Sequence, residues 1–474
     1  MHCSTAPGAP VIDQLLVSAT PYGVRTAAIA GATVCAFNAD ISGDELGNIY
    51  LAAPGRRGGG LRFVSIGEDH NAFLQESRDG DDGGGGDANQ IVQVTRGAWA
   101  GKAPRVSTRP ALSGRYVVFS PGGDGANVAR RIAAEADRAR LLALARDLAG
   151  EGGGIIIRSA AAGAAEEDIR AEAAQHRRRW AEITAKREQV SAPALLARGP
   201  GMAERLMRDI LAPGARILTD DREMHVRLRE YADRWAPEFT TRLDLVGGAL
   251  FERHDAAGAL AAALTPEVAL AGGGRLGIEP TRAFNVIDVD SGVRAGARDS
   301  ALGAACREAA AAAAHQIRLR NLAGLIVIDF PRLGLAAAGA ELVSEMRAHM
   351  KDDPVAHRVA GISESGLMEI TRKRLETPIL DALTEPVPGA GYGGRRPRLG
   401  ALAFDIAVQA RMQVQAGART ATLFVAPELA HYLRDVDGAA GSGEHSVLQD
   451  WLGIGVTMLD EPARGRGEWA IEAA

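Results

Sequence analysis

Cysteine is scarce in this chain of 474 residues. Cys3, Cys35 and Cys306 are scattered, and no Cys-x-x-Cys pair occurs in the sequence. Thiols this far apart do not suggest a disulfide framework, and a zinc site built from paired cysteines has no basis in the sequence. Any metal that the protein binds is therefore expected to have oxygen ligands.

Long apolar runs and an excess of one charge are also absent. No run approaches the ~20 apolar residues that a membrane helix needs, and residues 1–14 lack the basic start and apolar core of a signal peptide. The formal net charge of −5 does not suggest a general nucleic-acid-binding surface, although a local basic groove would suffice for binding. We expect a cytoplasmic protein without a membrane span.

The chain has enough apolar sequence to form several domains. Hydrophobic residues make up 46% of the chain and charged residues 24%, which suits roughly three or four globular domains. Short apolar runs broken by turn residues predict strands over 14–41 and 89–121. Apolar residues at three- and four-residue steps predict helices from about 127 to 210, with a short strand ending at Arg158. Strand and helix patterns alternate after that, which favours an α/β fold.

Two apolar strands in the C-terminal half end in aspartate. "VIDVD" carries Asp288 and Asp290, and "LIVIDF" carries Asp329, 41 residues after Asp288. The helical pattern between them is long enough for a crossover, so the strands can be parallel neighbours that end at the same sheet edge. Carboxylates that share an edge need a cation, and Mg²⁺ or Mn²⁺ suits carboxylate, water and phosphate oxygens. The alternative is that each aspartate is an ordinary strand-end or turn residue.

Two further expectations concern these strands. The uninterrupted apolar run of "LIVIDF" is typical of a strand buried on both faces. Alternation puts Asp288 and Asp290 on the same side of their strand, so Asp290 can join the ligand set or orient it.

Basic residues accompany the aspartates in the sequence. Arg318 and Arg320 end the intervening helix, and Arg372 begins a second basic cluster. A basic surround for an acidic metal site suits a phosphodiester backbone. The alternative is that arginines at the end of a helix complement the helix dipole.

With these motifs the chain resembles the ribonuclease E/G family of bacterial RNA-processing endonucleases. The resemblance runs from about residue 14 to the end and is strongest over 284–330, where "VIDVDSG" and "QIRLRNLAGLIVIDF" look like the family's metal-site strand and its helix-plus-strand signature. It implies that Asp288 and Asp329 hold a catalytic Mg²⁺ ion. Asp290 stands where the family usually has an asparagine that positions the first aspartate. Arg318, Arg320 and Arg372 would steady the RNA backbone or its developing charge.

The same resemblance implies an RNA-binding module near the front of the chain. "NIY", "FVSIG" and "NAFL" look like the family's OB-fold, in which aromatic and basic side chains contact single-stranded RNA. Phe63 and Phe73 match its RNA-contacting aromatics, and Lys102 matches a basic RNA contact. The alternative for either phenylalanine is a place in the barrel core.

A pocket that senses a 5′-monophosphate is implied as well. "SGRYVVF" (113–119) and "IIIRSA" (155–160) resemble its two parts. Arg158 and Ser159 stand at the family's arginine and threonine positions, and both side chains still bind phosphate oxygens. Gly114 and Val118 match the other wall of the pocket.

The resemblance also implies the domain order. We expect an α/β multi-domain protein with ribonuclease-H-like and deoxyribonuclease-I-like domains, an inserted OB-fold barrel and a small C-terminal α/β domain. The implied divisions are 14–40 and 195–265 for the two ribonuclease-H-like parts, 41–113 for the OB-fold, 114–194 for the phosphate sensor and helical region, 266–384 for the catalytic domain, 385–400 for a linker and 401–474 for a small dimerisation-like domain.

One family feature is missing from the sequence. A pair of cysteines after the "RKRL"-like stretch commonly makes a zinc link between subunits in the family, but "ETPILDALTEPVPGAGYGG" contains no cysteine. We therefore expect no zinc, and a homodimer would need another interface.

The expected function is Mg²⁺-dependent cleavage of single-stranded RNA in the processing and decay of rRNA and mRNA. The resemblance implies a preference for 5′-monophosphate ends and products with 5′-phosphate and 3′-hydroxyl ends. One alternative is an RNA-binding relative with weak or lost catalysis. Another is a metal-dependent phosphatase or deoxyribonuclease that uses the same acidic edge.

Overall fold

The structure of the chain is a computed structural model that describes residues 11–41, 43, 45–58, 61–67, 71–74, 88–98, 102–132, 134–281, 283–292, 299–331, 336–351, 353–389, 394–439 and 446–474. The chain divides into two compact units. The first contains Met1–Gly43, Ile210–Glu230 and Glu238–Ala474, and the second contains Asp44–Asp209 and Tyr231–Pro237.

Strands and helices alternate along much of the chain. In chain order the strands are β1 (Gln14–Thr20), β2 (Gly23–Ala30), β3 (Thr33–Asp40), β4 (Ile49–Gly58), β5 (Leu61–Ser65), β6 (Asn71–Leu74), β7 (Gln90–Arg96), β8 (Arg105–Ser107), β9 (Leu112–Ser113), β10 (Val117–Ser120), β11 (Ala126–Val128), β12 (Gly154–Ile157), β13 (Ala194–Ala197), β14 (Arg216–Thr219), β15 (Leu243–Leu245), β16 (Glu267–Ala269), β17 (Arg275–Pro280), β18 (Asn285–Asp290), β19 (Gly324–Asp329), β20 (His357–Ile362), β21 (Leu367–Arg372), β22 (Thr384–Pro386), β23 (Arg395–Pro397), β24 (Thr420–Val425), β25 (Gly455–Asp460) and β26 (Trp469–Ala473). The helices are α1 (Glu135–Gly150), α2 (Glu166–Arg187), α3 (Met202–Asp209), α4 (Arg222–Trp235), α5 (Leu250–Arg253), α6 (Ala256–Ala263), α7 (Asp299–Leu319), α8 (Ala336–Met350), α9 (Ile379–Leu383), α10 (Leu399–Gln415), α11 (Pro427–Ala439) and α12 (Val447–Leu452), and short 3₁₀ turns cover Ser159–Ala161 and Pro237–Arg242.

The first unit begins with a five-stranded sheet in the order β15-β14-β1-β2-β3. Strands β1, β2 and β3 form an antiparallel meander, whereas β14 lies parallel to β1. Leu15, Leu16 and Val17 are fully buried in β1, as expected for a central strand with apolar residues on both faces. Segments far apart in sequence therefore share one sheet.

The second large sheet of this unit has the order β16-β17-β18-β19-β21-β20. β18 and β19 are parallel neighbours, as the crossover argument predicts, and α7 connects them. Ile287, Ile326 and Ile328 point into a core that also contains buried residues of α7 and α8. The expectation that β19 is buried on both faces is wrong, because Leu325 is 37% exposed. The face opposite the helices thus leaves polar strand-end residues accessible.

The C-terminal part of the first unit contains a three-stranded sheet in the order β25-β24-β26. Residues of α10, α11 and α12 pack on it in one apolar core. Arg411 on α10 donates to the buried Asp220 carboxylate and to the carbonyl oxygens of Ala19 and Asp220, at 3.2 and 3.1 Å for the two carbonyls. Ser18 also donates to Asp220, at 2.7 Å. This buried polar network attaches α10 to the five-stranded sheet.

Residues 385–400, which are predicted to form a linker, include most of the paired strands β22 and β23.

The second unit contains a closed five-stranded barrel. Its strands follow the order β4-β5-β6-β8-β7, and a β4–β7 pairing closes it, while β13 adds to β4. A four-stranded sheet, β11-β12-β10-β9, packs with α1 and α2 around a separate core. The expectation of helix from residue 127 is wrong at its start, because Ala126–Val128 pairs in parallel with β12 and the helix begins only at Glu135.

The predicted mixed α/β class with an OB-like barrel is confirmed. The ribonuclease-H-like and deoxyribonuclease-I-like assignments and the domain boundaries stay predictions. Within the described residues no helix is long and apolar enough to cross a membrane.

Candidate active site and RNA-binding surfaces

Asp288 and Asp329 are direct neighbours at the C-terminal ends of two inner strands of the second large sheet, and this row of strand ends is called the aspartate edge. They are register partners at the ends of the parallel strands β18 and β19, so their Cα atoms lie about one interstrand spacing apart, roughly 4.8 Å. Both side chains are exposed, and they project from the same face of the sheet because register partners share a face. Among the described residues neither carboxylate has a hydrogen-bond or ion-pair partner. Their oxygens are therefore available to a ligand.

Asp290 differs from these two aspartates because its carboxylate is engaged. Its Oδ2 lies 3.1 Å from Nη2 of Arg275 on the neighbouring strand β17, and its Oδ1 accepts a hydrogen bond of 3.1 Å from the Gly292 backbone N–H. Arg275 and Asp290 are register partners. Asp290 thus orients a turn and an arginine, and Arg275 is a basic residue at this edge that the sequence reasoning missed.

The three predicted arginines do not join the aspartates. Arg372 pairs in register with Gly324, at the start of β19, whereas Asp329 ends that strand, so about five residues or roughly 17 Å of strand separate them. Arg318 lies in the last turn of α7 and Arg320 directly follows that helix, so both lie just before the same start of β19. The structure therefore puts the three arginines at the opposite ends of these strands from the two carboxylates.

Hydrogen bonds explain why these arginines stay there. The Arg372 guanidinium is buried and donates to both oxygens of Asp353, at 2.7 and 3.1 Å, and to Asn321 at 2.8 Å. Arg320 is also buried and donates to Gln316 and to the Thr265 carbonyl, both at 2.7 Å. Burial lowers the pKa of Arg320 to about 10. Both buried side chains therefore form hydrogen bonds inside the domain and do not face the aspartates.

The barrel carries an aromatic pair on its outside. Phe63 and Phe73 are register partners on β5 and β6, and their rings are 6.0 Å apart in an edge-to-face arrangement. The barrel core is formed by other residues, such as Val64, Ala72 and Leu74, so alternation directs both half-buried rings outward. The geometry removes the alternative that they are core residues.

Basic residues lie beside this aromatic pair. Arg105 on β8 is the register partner of Phe73, and its Nε is buried without a hydrogen-bond partner among the described residues. Lys102 is exposed on the segment that leads into β8. Adjacent rings and cations of this kind suit a single strand of nucleic acid, whose bases stack while its phosphates are neutralised.

The four predicted sensor residues lie around the edge of the β9, β10 and β12 strands. Arg158 follows β12 and donates to the Gly114 carbonyl at 2.5 Å and to Asp209 Oδ1 at 2.6 Å. Ser159 is exposed at the next position, and Val118 is half-buried on β10. Arg158 and Gly114 are thus in contact.

Asp209 is a partner of Arg158 that the sequence did not reveal. Its two carboxylate oxygens also accept hydrogen bonds from Arg208, each at 2.7 Å. Burial alone would raise the pKa of Asp209, but the hydrogen bonds and charge of Arg208, followed by those of Arg158, outweigh burial and lower it. One ionised carboxylate is therefore held between two guanidinium groups.

Glu172 on α2 fixes the loop that contains Gly114. Its buried carboxylate accepts hydrogen bonds from the backbone N–H groups of Arg115, Tyr116 and Val117, at 3.0, 2.9 and 2.7 Å. Burial raises the pKa of Glu172, against the opposing effect of these three donors. A Cβ atom at Gly114 would lie 2.2 Å from Glu172 Oε1, so glycine is required there for this close approach.

The donor set at the aspartate edge fits a divalent cation. Two accessible carboxylates on adjacent strands, with water completing the shell, match the oxygen ligands that Mg²⁺ and Mn²⁺ prefer. Among the described residues no group of three or more histidine, cysteine, aspartate or glutamate side chains could hold a metal. A cation here would therefore depend on Asp288, Asp329 and non-protein oxygens.

Fold and site together define a class: an α/β protein with an OB-like barrel that carries outward aromatics, and a sheet edge with paired carboxylates. The sequence model of the ribonuclease E/G family matches residues 111–375. The chain belongs to the ribonuclease E/G family.

Individual relatives agree with this membership. Ribonuclease G of Salmonella typhimurium (strain SL1344) is 30% identical over 410 residues, which cover 79% of this chain and 82% of the relative. Ribonuclease G of Escherichia coli (strain K12) has the same identity and coverage. Ribonuclease E of Nostoc sp. (strain PCC 7120) is 34% identical over 318 residues, or 65% of this chain and 46% of the relative.

Proposed function

We propose that this protein is an Mg²⁺-dependent endoribonuclease that cleaves single-stranded RNA in RNA processing and decay. The observation that carries the proposal is the side-by-side placement of Asp288 and Asp329 on adjacent parallel strands, exposed and without partners among the described residues. Membership of the ribonuclease E/G family, whose compared relatives are named ribonuclease G and ribonuclease E, supports the same activity.

Asp288 and Asp329 would hold the metal through one carboxylate each. A Mg²⁺ ion held there would supply Lewis-acid polarisation of a phosphate and a bound water of lowered pKa, chemistry that suits hydrolysis to 5′-phosphate and 3′-hydroxyl ends. The exposed sheet face lets an RNA backbone approach the carboxylates. Phe63 and Phe73 would stack on unpaired bases, and Lys102 would contact the RNA backbone.

A preference for 5′-monophosphate ends is the second part of the proposal. A guanidinium group has five N–H donors, and Arg158 directs one to Gly114 and one to Asp209. Its remaining donors and the exposed Ser159 hydroxyl suit the oxygens of a terminal phosphate. Gly114 and Val118 would form the wall beside them.

Cleavage of a fluorescent, AU-rich single-stranded RNA with a 5′-monophosphate tests the activity. We expect Mg²⁺-dependent cleavage by the unaltered protein and a loss of at least about a hundred-fold in Asp288→Asn and Asp329→Asn, because each change removes one anionic ligand. Unchanged cleavage in both variants would refute the metal assignment. RNA binding without any cleavage by the unaltered protein would favour the RNA-binding alternative.

The 5′-end preference is tested separately with the same RNA carrying a 5′-hydroxyl. Equal rates on the two RNAs would count against the sensor role of Arg158.

A homodimer without a zinc link, located in the cytoplasm, is the assembly we propose. Light scattering of the purified protein tests the dimer.

A further inference from the structure

An ion pair stands beside the proposed metal ligands. Arg275 Nη2 and Asp290 Oδ2 are 3.1 Å apart, and their side chains are 60% and 49% exposed. The two residues are register partners on β17 and β18. Asp290 is two residues beyond Asp288 and therefore lies on the same face of the sheet, about 7 Å away along the strand.

The backbone around this pair is tightly packed, which fixes where the two side chains begin. A Cβ atom at Gly274 would lie 2.5 Å from the Asp290 carbonyl oxygen, and one at Gly292 would lie 2.6 Å from the Gly273 carbonyl oxygen. Gly292 also has a φ of +66°. Glycines thus let the turn before β17 close against the end of β18, with Asp290 Oδ1 bonded to the Gly292 N–H.

Charge is the property that this pair changes. Without a partner, Asp290 would add a third negative charge next to two carboxylates, which strengthens cation binding and repels an RNA backbone. The arginines predicted for this site lie at the opposite edge of the sheet, whereas Arg275 lies at the same edge as the aspartates. Half-buried Glu369 faces the same side, opposite Val327, and adds a negative charge, so Arg275 is the basic residue that the geometry brings to this face.

We propose that Arg275 and Asp290 form a compensating pair that sets the net charge at the metal edge. Arg275 offsets Asp290, so Asp290 adds no net charge beside the two metal ligands and the site remains open to an anionic substrate. Asp290 is then a positioning residue, and it holds Arg275 beside the path of the RNA. This inference rests on the proposed function, because it assumes that Asp288 and Asp329 bind the metal.

Opposite effects of two single substitutions test the proposal. Arg275→Gln leaves Asp290 uncompensated, and Asp290→Asn frees Arg275 while keeping the Oδ1 acceptor for Gly292. One unit charge about 7 Å from a divalent ion, in a medium close to water, changes its affinity about three- to ten-fold. We expect Mn²⁺, titrated by electron paramagnetic resonance, to bind more tightly to Arg275→Gln and more weakly to Asp290→Asn by about this factor.

RNA binding should change in the reverse direction. In EDTA, the anisotropy of a fluorescent 5′-hydroxyl RNA should report weaker binding by Arg275→Gln and tighter binding by Asp290→Asn, each by about two- to three-fold. The double variant should match the unaltered protein in both assays. Arg216 and Asp244, an exposed pair at 2.6 Å on another sheet, provide matched controls as Arg216→Gln and Asp244→Asn, which should change neither affinity.

The outcomes separate this inference from the proposed function. If Asp288→Asn retains full Mn²⁺ affinity, the metal assignment fails and the pair has no site to act on. If Asp288→Asn loses Mn²⁺ binding, two results would refute compensation. One is that Arg275→Gln and Asp290→Asn shift the Mn²⁺ affinity in the same direction. The other is that the affinity of the double variant differs from that of the unaltered protein as much as the more affected single variant does. Opposite shifts that cancel in the double variant support it.

Discussion

Replacing Gly114 by alanine should damage the proposed 5′-phosphate pocket from within. The added Cβ would lie 2.2 Å from Glu172 Oε1 and 2.7 Å from His176 Nε2, and both residues are buried. Neither side chain can move outward easily, because Glu172 is bonded to three consecutive backbone N–H groups and the His176 ring stacks on Trp235 at 4.7 Å. Alanine at this position must therefore displace the carboxylate or the loop.

The size of the effect follows from those hydrogen bonds. A hydrogen bond to a charged group contributes about 1.5–3 kcal/mol, and contributions of neighbouring bonds do not add fully. Loss of one or two of the three bonds to Glu172 should lower the free energy of unfolding of the second unit by about 2–4 kcal/mol. The Gly114 carbonyl would shift as well, so Arg158 should lose this hydrogen-bond partner, and the proposed preference for a 5′-monophosphate should be lost with it.

Urea unfolding followed by tryptophan fluorescence measures the stability, and the ratio of cleavage rates on 5′-monophosphate and 5′-hydroxyl RNA measures the preference. Gly122→Ala is the matched control, because a Cβ atom there meets nothing within 4 Å; it should stay within about 1 kcal/mol of the unaltered protein. Adding Gly114→Ala to a Glu172→Ala background should cost little further stability. If Gly114→Ala behaves like Gly122→Ala in both assays, the contact argument is refuted.

Three further perturbations probe ionisable side chains. Asp353→Asn should lower the free energy of unfolding of the first unit by about 3–5 kcal/mol, measured in urea, because it leaves Arg372 buried beside a neutral group. The turnover number per folded molecule should stay unchanged. A selective loss of turnover would give Arg372 a catalytic role. Burial, and then nearby arginines, lower the pKa of His176 from 6.5 to about 3, so the stability that the neutral ring contributes is present above pH 6.5 and is lost as the pH falls. The free energy of unfolding of the second unit should therefore decrease by about 2 kcal/mol between pH 7.5 and pH 5. An equal decrease in His176→Phe would contradict this prediction. Asp209→Asn should reduce the 5′-monophosphate preference by loosening Arg158, without changing cleavage of 5′-hydroxyl RNA, whereas Asp147→Asn, which alters an exposed arginine pair in the same unit, should change neither rate.

Local patterns were sufficient to predict the aspartate edge. Apolar runs ending in Asp288 and Asp329, with one helix between them, leave few topologies for the chain, since crossovers between parallel strands are almost always right-handed. The register that makes the two residues partners is then set by the strand ends. The pairing of Arg275 with Asp290 was also accessible, because the two residues are equally far from the turn at 281–284 of their antiparallel hairpin.

Contacts that depend on tertiary packing were not accessible from the sequence. Proximity along the chain suggested that Arg318, Arg320 and Arg372 surround the aspartates, but a strand carries its two ends to opposite edges of a sheet. Asp209 meets Arg158 only because α3 ends beside β12. The apolar spacing at Ala126–Val128 predicts a helix continuous with α1, whereas pairing with β12 decides the conformation of this segment.

The aspartate edge is placed where a change of charge should do little harm to the fold. Ile287, Val289, Ile326 and Ile328 carry the apolar contacts of β18 and β19 on the helix-covered face, so the sheet does not depend on its other face for this core. The Cα atoms of Asp288 and Asp329 are register partners about 5 Å apart, and among the described residues neither carboxylate has a partner, so the fold gains no described contact from either side chain. Exposed acidic side chains that lie side by side and contribute no core contact are more typical of a functional site than of a structural one. The pair is therefore a candidate for function and not a requirement of the fold.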